Sequence, residues 1–157
     1  AILMGGGGAS GKGTVLRALR ERGRIGDEDV ELDPDSFKTG DAQHGWDGVP
    51  QYWDIVERGD SRAAGVTHEE SSLIFKQAMR QALEGGYSVI LDRTMGSPAK
   101  ALAEMQMFKD AGYEIRLIGV SVKPATAIMR AVERAKGKEK RYVPLRDLLT
   151  AHKGFSQ

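Results

Sequence analysis

A three-layer α/β/α fold with a mostly parallel sheet is predicted by three features of the 157-residue chain. Short apolar runs alternate four times with segments of helical periodicity, the pattern of strands joined by right-handed helical crossovers. A glycine-rich loop, Gly5-Gly6-Gly7-Gly8-Ala9-Ser10-Gly11-Lys12-Gly13-Thr14, joins the first run to the first helix. Carboxylates close the second and third runs, at Asp33 and Asp92. In such sheets ligands bind at the carboxyl ends of the strands, which brings these distant features to one edge.

Taken in order, Ile2-Leu3-Met4 reads as a short buried strand. Val15, Leu16 and Leu19 set one apolar stripe on a helix from Gly11 to about Arg22, and Gly23 suits its end. Val30 to Asp33 is the second strand, stopped by Pro34, and Asp35-Ser36-Phe37-Lys38 follows as a loop or helix start. Residues 39–62 are irregular and carry Trp46, Tyr52 and Trp53, so they read either as a lid or substrate loop or as a short helix near 51–58 whose aromatics cap the core.

Ala63 to Glu84 reads as one long helix with Phe75, Ala78, Met79, Ala82 and Leu83 inward. Ser88 to Asp92 is the third strand. Ser97-Pro98 is a helix start, with Leu102, Met105 and Phe108 as its stripe. Ile115 to Val122 is the fourth strand, and Pro124 opens a helix with Ile128, Met129 and Val132 on one face. That helix runs into the basic residues Arg134, Lys136, Lys138, Lys140 and Arg141, and Pro144 begins a last short helix reaching His152. The expected organisation is one domain over 1–157, with a substrate loop at 39–66 and a basic lid at 134–143.

Composition narrows the classes. Lys and Arg number 23 against 22 Asp and Glu, so nothing in the balance calls for a nucleic-acid or membrane partner. The absence of cysteine removes disulfides and thiolate metal sites, and fits a cytoplasmic setting. No apolar run approaches the roughly 20 residues that span a bilayer. The chain starts inside a strand without Met, which reads as a trimmed N-terminus.

The loop carries the chemistry. Gly6, Gly7, Gly8, Ala9, Ser10, Gly11, Lys12, Gly13 and Thr14 form a phosphate cradle, because only a backbone free of side-chain bulk wraps an anion closely. The dipole of the following helix points its positive end at the same anion, and Lys12 adds a mobile cation. This is a P-loop pattern, in which Lys12 can reach the outer phosphates of a bound nucleotide. The usual Ser or Thr after the lysine is Gly13 here, as in adenylate-kinase-like enzymes, which favours a metal held mostly through water.

Asp33 and Asp35 sit two residues apart at a strand end, where one carboxylate can face metal waters and the other an acceptor hydroxyl. Asp35 is the expected general base. Asp92 is the Walker-B-type carboxylate, and Asp92 with Asp33 forms the expected water-mediated metal site. Arg134 and Arg141 are expected to neutralise the migrating phosphoryl group. His68-Glu69-Glu70-Ser71-Ser72 lacks the second histidine of a zinc protease, but His68, Glu69 and Ser72 share a helical face suited to a polyhydroxyl substrate or, equally, an acidic first turn.

The order P-loop, Leu32-Asp33-Pro34-Asp35-Ser36-Phe37-Lys38, Arg62-Ala63-Ala64 through His68-Glu69-Glu70-Ser71-Ser72, and Val89-Ile90-Leu91-Asp92-Arg93-Thr94 resembles the zeta-toxin family of kinases. Glu133-Arg134 through Arg141-Tyr142-Val143-Pro144 also matches. The resemblance implies an ATP- and Mg²⁺-dependent transfer to the 3′-hydroxyl of the sugar in UDP-N-acetylglucosamine, and an antitoxin protein that blocks the nucleotide site. It makes Lys12 the P-loop lysine, Asp35 the base, Asp92 an acidic residue at the substrate edge and Thr94 a substrate contact. Arg134 and Arg141 become the ATP arginines, and Phe37 and Lys38 join the substrate-facing set. Gly13 and Gly96 depart from the family pattern, and the chain is shorter than full toxins.

The expected function is therefore phosphoryl transfer to a hydroxyl of a small molecule, a nucleotide sugar first. A nucleoside, nucleotide or polynucleotide 5′-hydroxyl kinase and a non-catalytic nucleotide-binding module are the alternatives.

Overall fold

A computed structural model describes residues 1–40, 47–60, 62–137 and 143–156. The strands are β1 (Ile2–Gly5), β2 (Val30–Leu32), β3 (Val89–Arg93) and β4 (Arg116–Gly119). The helices are α1 (Lys12–Glu21), α2 (Ser36–Thr39), α3 (Pro50–Glu57), α4 (Ala63–Val66), α5 (His68–Glu84), α6 (Pro98–Asp110), α7 (Pro124–Lys136) and α8 (Leu145–Phe155). The sheet order is β2-β3-β1-β4 and every pairing is parallel, as the alternation of elements predicts.

Strand alternation explains the two layers. Leu3 lies opposite Leu91 and Leu32 opposite the same Leu91, so these side chains share one face. They pack with Val89 against Phe75 and Ala82 of α5 and Phe108 of α6. One residue on, Met4 and Ile90 face the other way and pack with Leu16 of α1 and with Ile25. By the same alternation Asp92 belongs to the α1 face, and Arg93 to the α5 and α6 face.

A third cluster gathers Val49, Tyr52, Val56 and Ala63. The segment around 51–58 is thus the short helix α3, with Tyr52 buried and set edge-on to Trp53. Trp53 Nε1 donates to the carbonyl of Thr39 at 3.0 Å, tying α3 to α2. Trp46 lies outside the described residues.

Several expectations need correction. The long helix expected over 63–84 is divided at Thr67, whose Oγ1 donates back to the Ala63 carbonyl at 2.9 Å and competes with regular helix continuation. On α6, Leu102 is 64% exposed, and the inward positions are Ala101 and Phe108. On α7, Met129 and Val132 are exposed and Ala127 is the buried residue. In both helices a small alanine takes a buried position, which an apolar stripe weighted towards bulky residues misses. Ser97 holds the cap position of α6 without a side-chain cap bond, with Pro98 starting the helix. β4 ends at Gly119, shorter than the expected run to Val122, and only the Val120 N–H continues the ladder, to the Gly5 carbonyl at 2.8 Å.

Helix α6 allows a controlled comparison. Phe108→Ala should lower unfolding free energy by about 3–5 kcal/mol, whereas Leu102→Ala should stay within about 0.5 kcal/mol. Urea denaturation of the two variants measures both, and equal losses would contradict the assigned inner face.

Candidate active site

The loop between β1 and α1 is bent where glycine is needed and once where it is absent. Gly11 has φ 101°, and Ala9 sits at φ 56°, a left-handed conformation that is costly for a residue with a side chain. A Cβ on Gly6 would stand 2.5 Å from the Val120 carbonyl oxygen and 2.7 Å from Ser10 Oγ. By contrast, a Cβ on Gly13 would meet nothing within 4 Å, so its lack of a hydroxyl is not forced by space.

The loop's polar groups are divided by role. The Gly7 carbonyl accepts from Ser10 N–H at 3.2 Å. Three more carbonyls accept from side chains: Gly6 from Lys12 Nζ at 3.0 Å, Gly8 from His152 Nε2 at 2.8 Å, and Ser10 from Arg130 Nη1 at 3.1 Å. The N–H groups of Gly8, Ala9, Gly11, Lys12 and Gly13 make no hydrogen bond among the described residues. Donors without partners at the start of α1, whose cap residue Gly11 offers no side-chain acceptor, form an anion-binding surface.

Lys12 Nζ also lies 3.5 Å from Asp92 Oδ1, the pairing that strand alternation anticipates. Asp92 Oδ1 is shielded from solvent and has no hydrogen bond among the described residues. Burial pushes its carboxyl up to about 7 despite the attraction of Lys12, and the negative charges of Asp33 and Glu31 add to the rise. Ser10 Oγ is likewise buried and unpartnered among the described residues. A carboxylate raised chiefly by burial, beside a lysine and a row of spare amides, fits the donor set for a metal-bound polyphosphate.

Asp33 and Asp35 follow β2, at the same end of the sheet. Asp33 Oδ1 accepts from Asp35 N–H at 2.9 Å, so one carboxylate braces the turn that presents the other. Asp35 Oδ1 pairs with Lys38 Nζ at 3.2 Å, with the Asp35 side chain 35% exposed and that of Lys38 only 7%. Lys38 Nζ also lies 3.5 Å from His68 Nδ1, which joins the start of α5 to α2. Since β2 and β1 flank β3, the Asp35 turn and the loop leave strands two spacings apart, roughly 10 Å, at the same end of the sheet. Asp35 is thus neither sealed beneath the core nor on the opposite edge.

The remaining expected residues are placed as follows. Phe37 is half-buried and packs edge-on to Phe75, their ring centroids 6.4 Å apart. Glu69 and Thr94 are exposed, and Ser72 is half-buried. Thr14 is exposed on α1, and Arg134 is exposed in the last turn of α7. Arg141, with residues 138–142 of the segment expected as a lid, lies outside the described residues. Beyond Asp92, Arg93, Thr94, Met95, Ser97, Lys100 and Glu104 line a cavity of about 230 Å³. Its Arg93 pairs with Glu104 at 3.2 Å and lies over the Phe75 ring. Met95, which follows Thr94, has φ 48°.

Sequence reasoning missed Arg130 and His152 on the loop carbonyls, and it missed the Lys38 bridge between Asp35 and His68. The last had a weak signal, the three-residue spacing of Asp35 and Lys38 on a short helical turn. The other two join residues 120 and 144 positions apart, and nothing local marks them.

A search of curated proteins returns no match. Among solved structures, a chain of the PezAT chromosomal toxin–antitoxin system of Streptococcus pneumoniae superposes with a TM-score of 0.66 at 23% identity, over 86% of this chain and 52% of that one. The AvrRxo1-ORF1:AvrRxo1-ORF2 complex with ATP gives 0.65 at 17% identity, over 96% and 45%. The Pnkp1/Rnl/Hen1 RNA repair complex gives 0.58 at 15%, over 99% and 43%. The chain spans about half the length of each. The likeness establishes a shared α/β fold. No described helix is long and apolar enough to cross a membrane. The family model for the zeta toxins matches residues 1–157, and the chain belongs to that family.

Proposed function

We propose that this chain is an ATP-dependent kinase that transfers the γ-phosphoryl group to a hydroxyl of a small molecule, with a nucleotide sugar such as UDP-N-acetylglucosamine as the first acceptor to test. The observation that carries the proposal is the common strand-end edge shared by the spare amides near Lys12 and the part-exposed carboxylate of Asp35. A pure nucleotide binder has no use for a carboxylate held there. Family membership supports the kinase class, and the ATP in the AvrRxo1 complex supports the donor.

In this reading the donor triphosphate lies along the loop amides, and Lys12 leaves the Gly6 carbonyl to meet the outer phosphates. The acceptor hydroxyl gives its proton to Asp35 as its oxygen bonds to the γ-phosphorus, and the bond from that phosphorus to the β-bridging oxygen breaks to release ADP. Lys38 holds the Asp35 carboxylate towards the acceptor, and His68, Glu69, Ser72, Phe37 and Thr94 would flank the acceptor itself. Arg134, with Arg141, would neutralise charge on the migrating group. Mg²⁺ would be held through water by Asp92 and Asp33, where it supplies charge neutralisation at the phosphates. The cavity beyond Asp92 offers room for the acceptor body. An antitoxin protein is the proposed partner, because the PezAT neighbour belongs to a toxin–antitoxin system. The RNA-repair neighbour keeps oligonucleotide 5′-hydroxyls in the acceptor screen.

Labelled ATP offered with nucleotide sugars, nucleosides and oligonucleotide ends tests the assignment. Lys12→Ala should weaken ATP binding by about 10- to 100-fold, a charge-assisted contact being worth roughly 1.5–3 kcal/mol. Asp35→Asn should bind ATP within about 2-fold of wild type and lose about 10²- to 10⁴-fold in transfer rate, the range for a general base. Near-full transfer by Asp35→Asn would sink the assigned base.

Asp92 gives a stability test on the ligand-free protein. Its folded-state value of about 7 lies above the ordinary carboxylate value, so the native state keeps a proton that the unfolded chain has released. The Asp92 contribution is fully present below about pH 4 and is lost as pH rises towards about 7. Asp92→Asn should therefore gain stability relative to wild type across that window. Urea titrations at several pH values check it, and a relative gain by wild type would reverse the assignment.

A further inference from the structure

We propose that His152 is a positioning residue for nucleotide binding, holding the phosphate-binding loop in its open-amide form from outside the site. The proposal rests on the nucleotide-binding reading of that loop.

A trans peptide points its C=O and the next N–H in opposite directions. Fixing the Gly8 carbonyl outward therefore fixes the Ala9 N–H inward, and the Arg130 contact with the Ser10 carbonyl does the same for Gly11 N–H. A flipped peptide would present an oxygen to the phosphate and remove one donor. Lys12 performs this duty at Gly6 only until a phosphate draws it away. Arg130 and His152 have no such second task, so they remain when ligand binds. The peptide held by His152 adjoins Ala9, the non-glycine residue at φ 56°, where the backbone most needs an external restraint.

The contact is built into the fold. His152 is 8% exposed and lies against Gly7, where an added Cβ would come within 2.5–2.6 Å of three ring atoms. Along the same helix Leu148 packs on Gly8, and Phe155 lies against Gly5 and Gly119. Gly154 meets the Gly96 carbonyl, again with no room for a side chain. Helix α8 thus seats on the strand ends at Gly5, Gly7 and its own Gly154, where an added Cβ would clash, and lies in close contact at Gly8 and Gly119. Because a carbonyl only accepts, His152 must carry its proton on Nε2, which excludes the neutral Nδ1–H tautomer.

The test uses the full chain and two variants. Isothermal titration with ATP, and with inorganic tripolyphosphate, should show His152→Phe binding about 5- to 20-fold more weakly than wild type, the loss of one hydrogen bond. His152→Gln, which keeps a donor at similar reach, should recover binding to within about 2-fold of wild type, and the ATP KM should follow the same order with kcat little changed. Nitrogen-15 NMR of the wild-type imidazole should find the proton on Nε2, a reading that stands even if His152→Phe does not fold. Wild-type affinity in a folded His152→Phe, equal loss in His152→Gln, or an Nδ1–H tautomer would each overturn the proposal. Failure of wild type to bind ATP or tripolyphosphate would instead sink the nucleotide reading, with the tautomer still testing the hold on Gly8.

Discussion

The structure depends on one constraint: a loop that binds phosphate has to turn its N–H groups towards the ligand and dispose of its carbonyls elsewhere. Each amide spent inward leaves an acceptor on the outside, and a buried acceptor without a donor is costly. Here the carbonyls of Gly6, Gly7, Gly8 and Ser10 find Lys12, Ser10 N–H, His152 and Arg130. The donors come from the start of α1, from the loop itself, from α8 and from α7. The elements that follow β4 are thereby tied to the loop that begins the chain.

The sheet supplies the second half of the arrangement. Parallel strands in the order β2-β3-β1-β4 put three carboxyl ends side by side. β1 delivers the loop, β3 delivers Asp92 to the α1 face beside Lys12, and β2 delivers the Asp33–Asp35 turn. The cost appears as a buried carboxylate lifted to about 7. A group in that state is poorly matched to an empty site and well matched to one holding cations, a usual mark of functional strain.

Much of this was legible in the sequence because the decisive signals are local. A glycine run between an apolar strand and a lysine-led helix fixes the loop, and a carboxylate directly after an apolar run fixes Asp92. The segment near 51–58 was open between a substrate loop and a short helix with core-capping aromatics, and the helix is what forms, with Tyr52 fully buried. On α6, Met105 and Phe108 pack inward as expected and Leu102 does not, while on α7 Met129 and Val132 are exposed and the buried position is Ala127, a residue that carries little pattern weight. The break at Thr67 arises from a hydroxyl that bonds its own helix. Docking of α8 was illegible for a different reason. Its contacts fall on Gly5 and Gly7, which read only as phosphate-loop residues, and on the isolated Gly96, Gly119 and Gly154, which read as turns until a partner is seen against them.

Backbone amide NMR with added tripolyphosphate tests the central claim most directly. The largest downfield shifts should fall on the N–H groups of Ala9, Gly11, Lys12 and Gly13, accompanied by loss of the Lys12 contact with the Gly6 carbonyl. Shifts centred instead on the opposite end of the sheet, where Arg24, Ser88 and Arg116 line a cavity of about 220 Å³, would contradict the account.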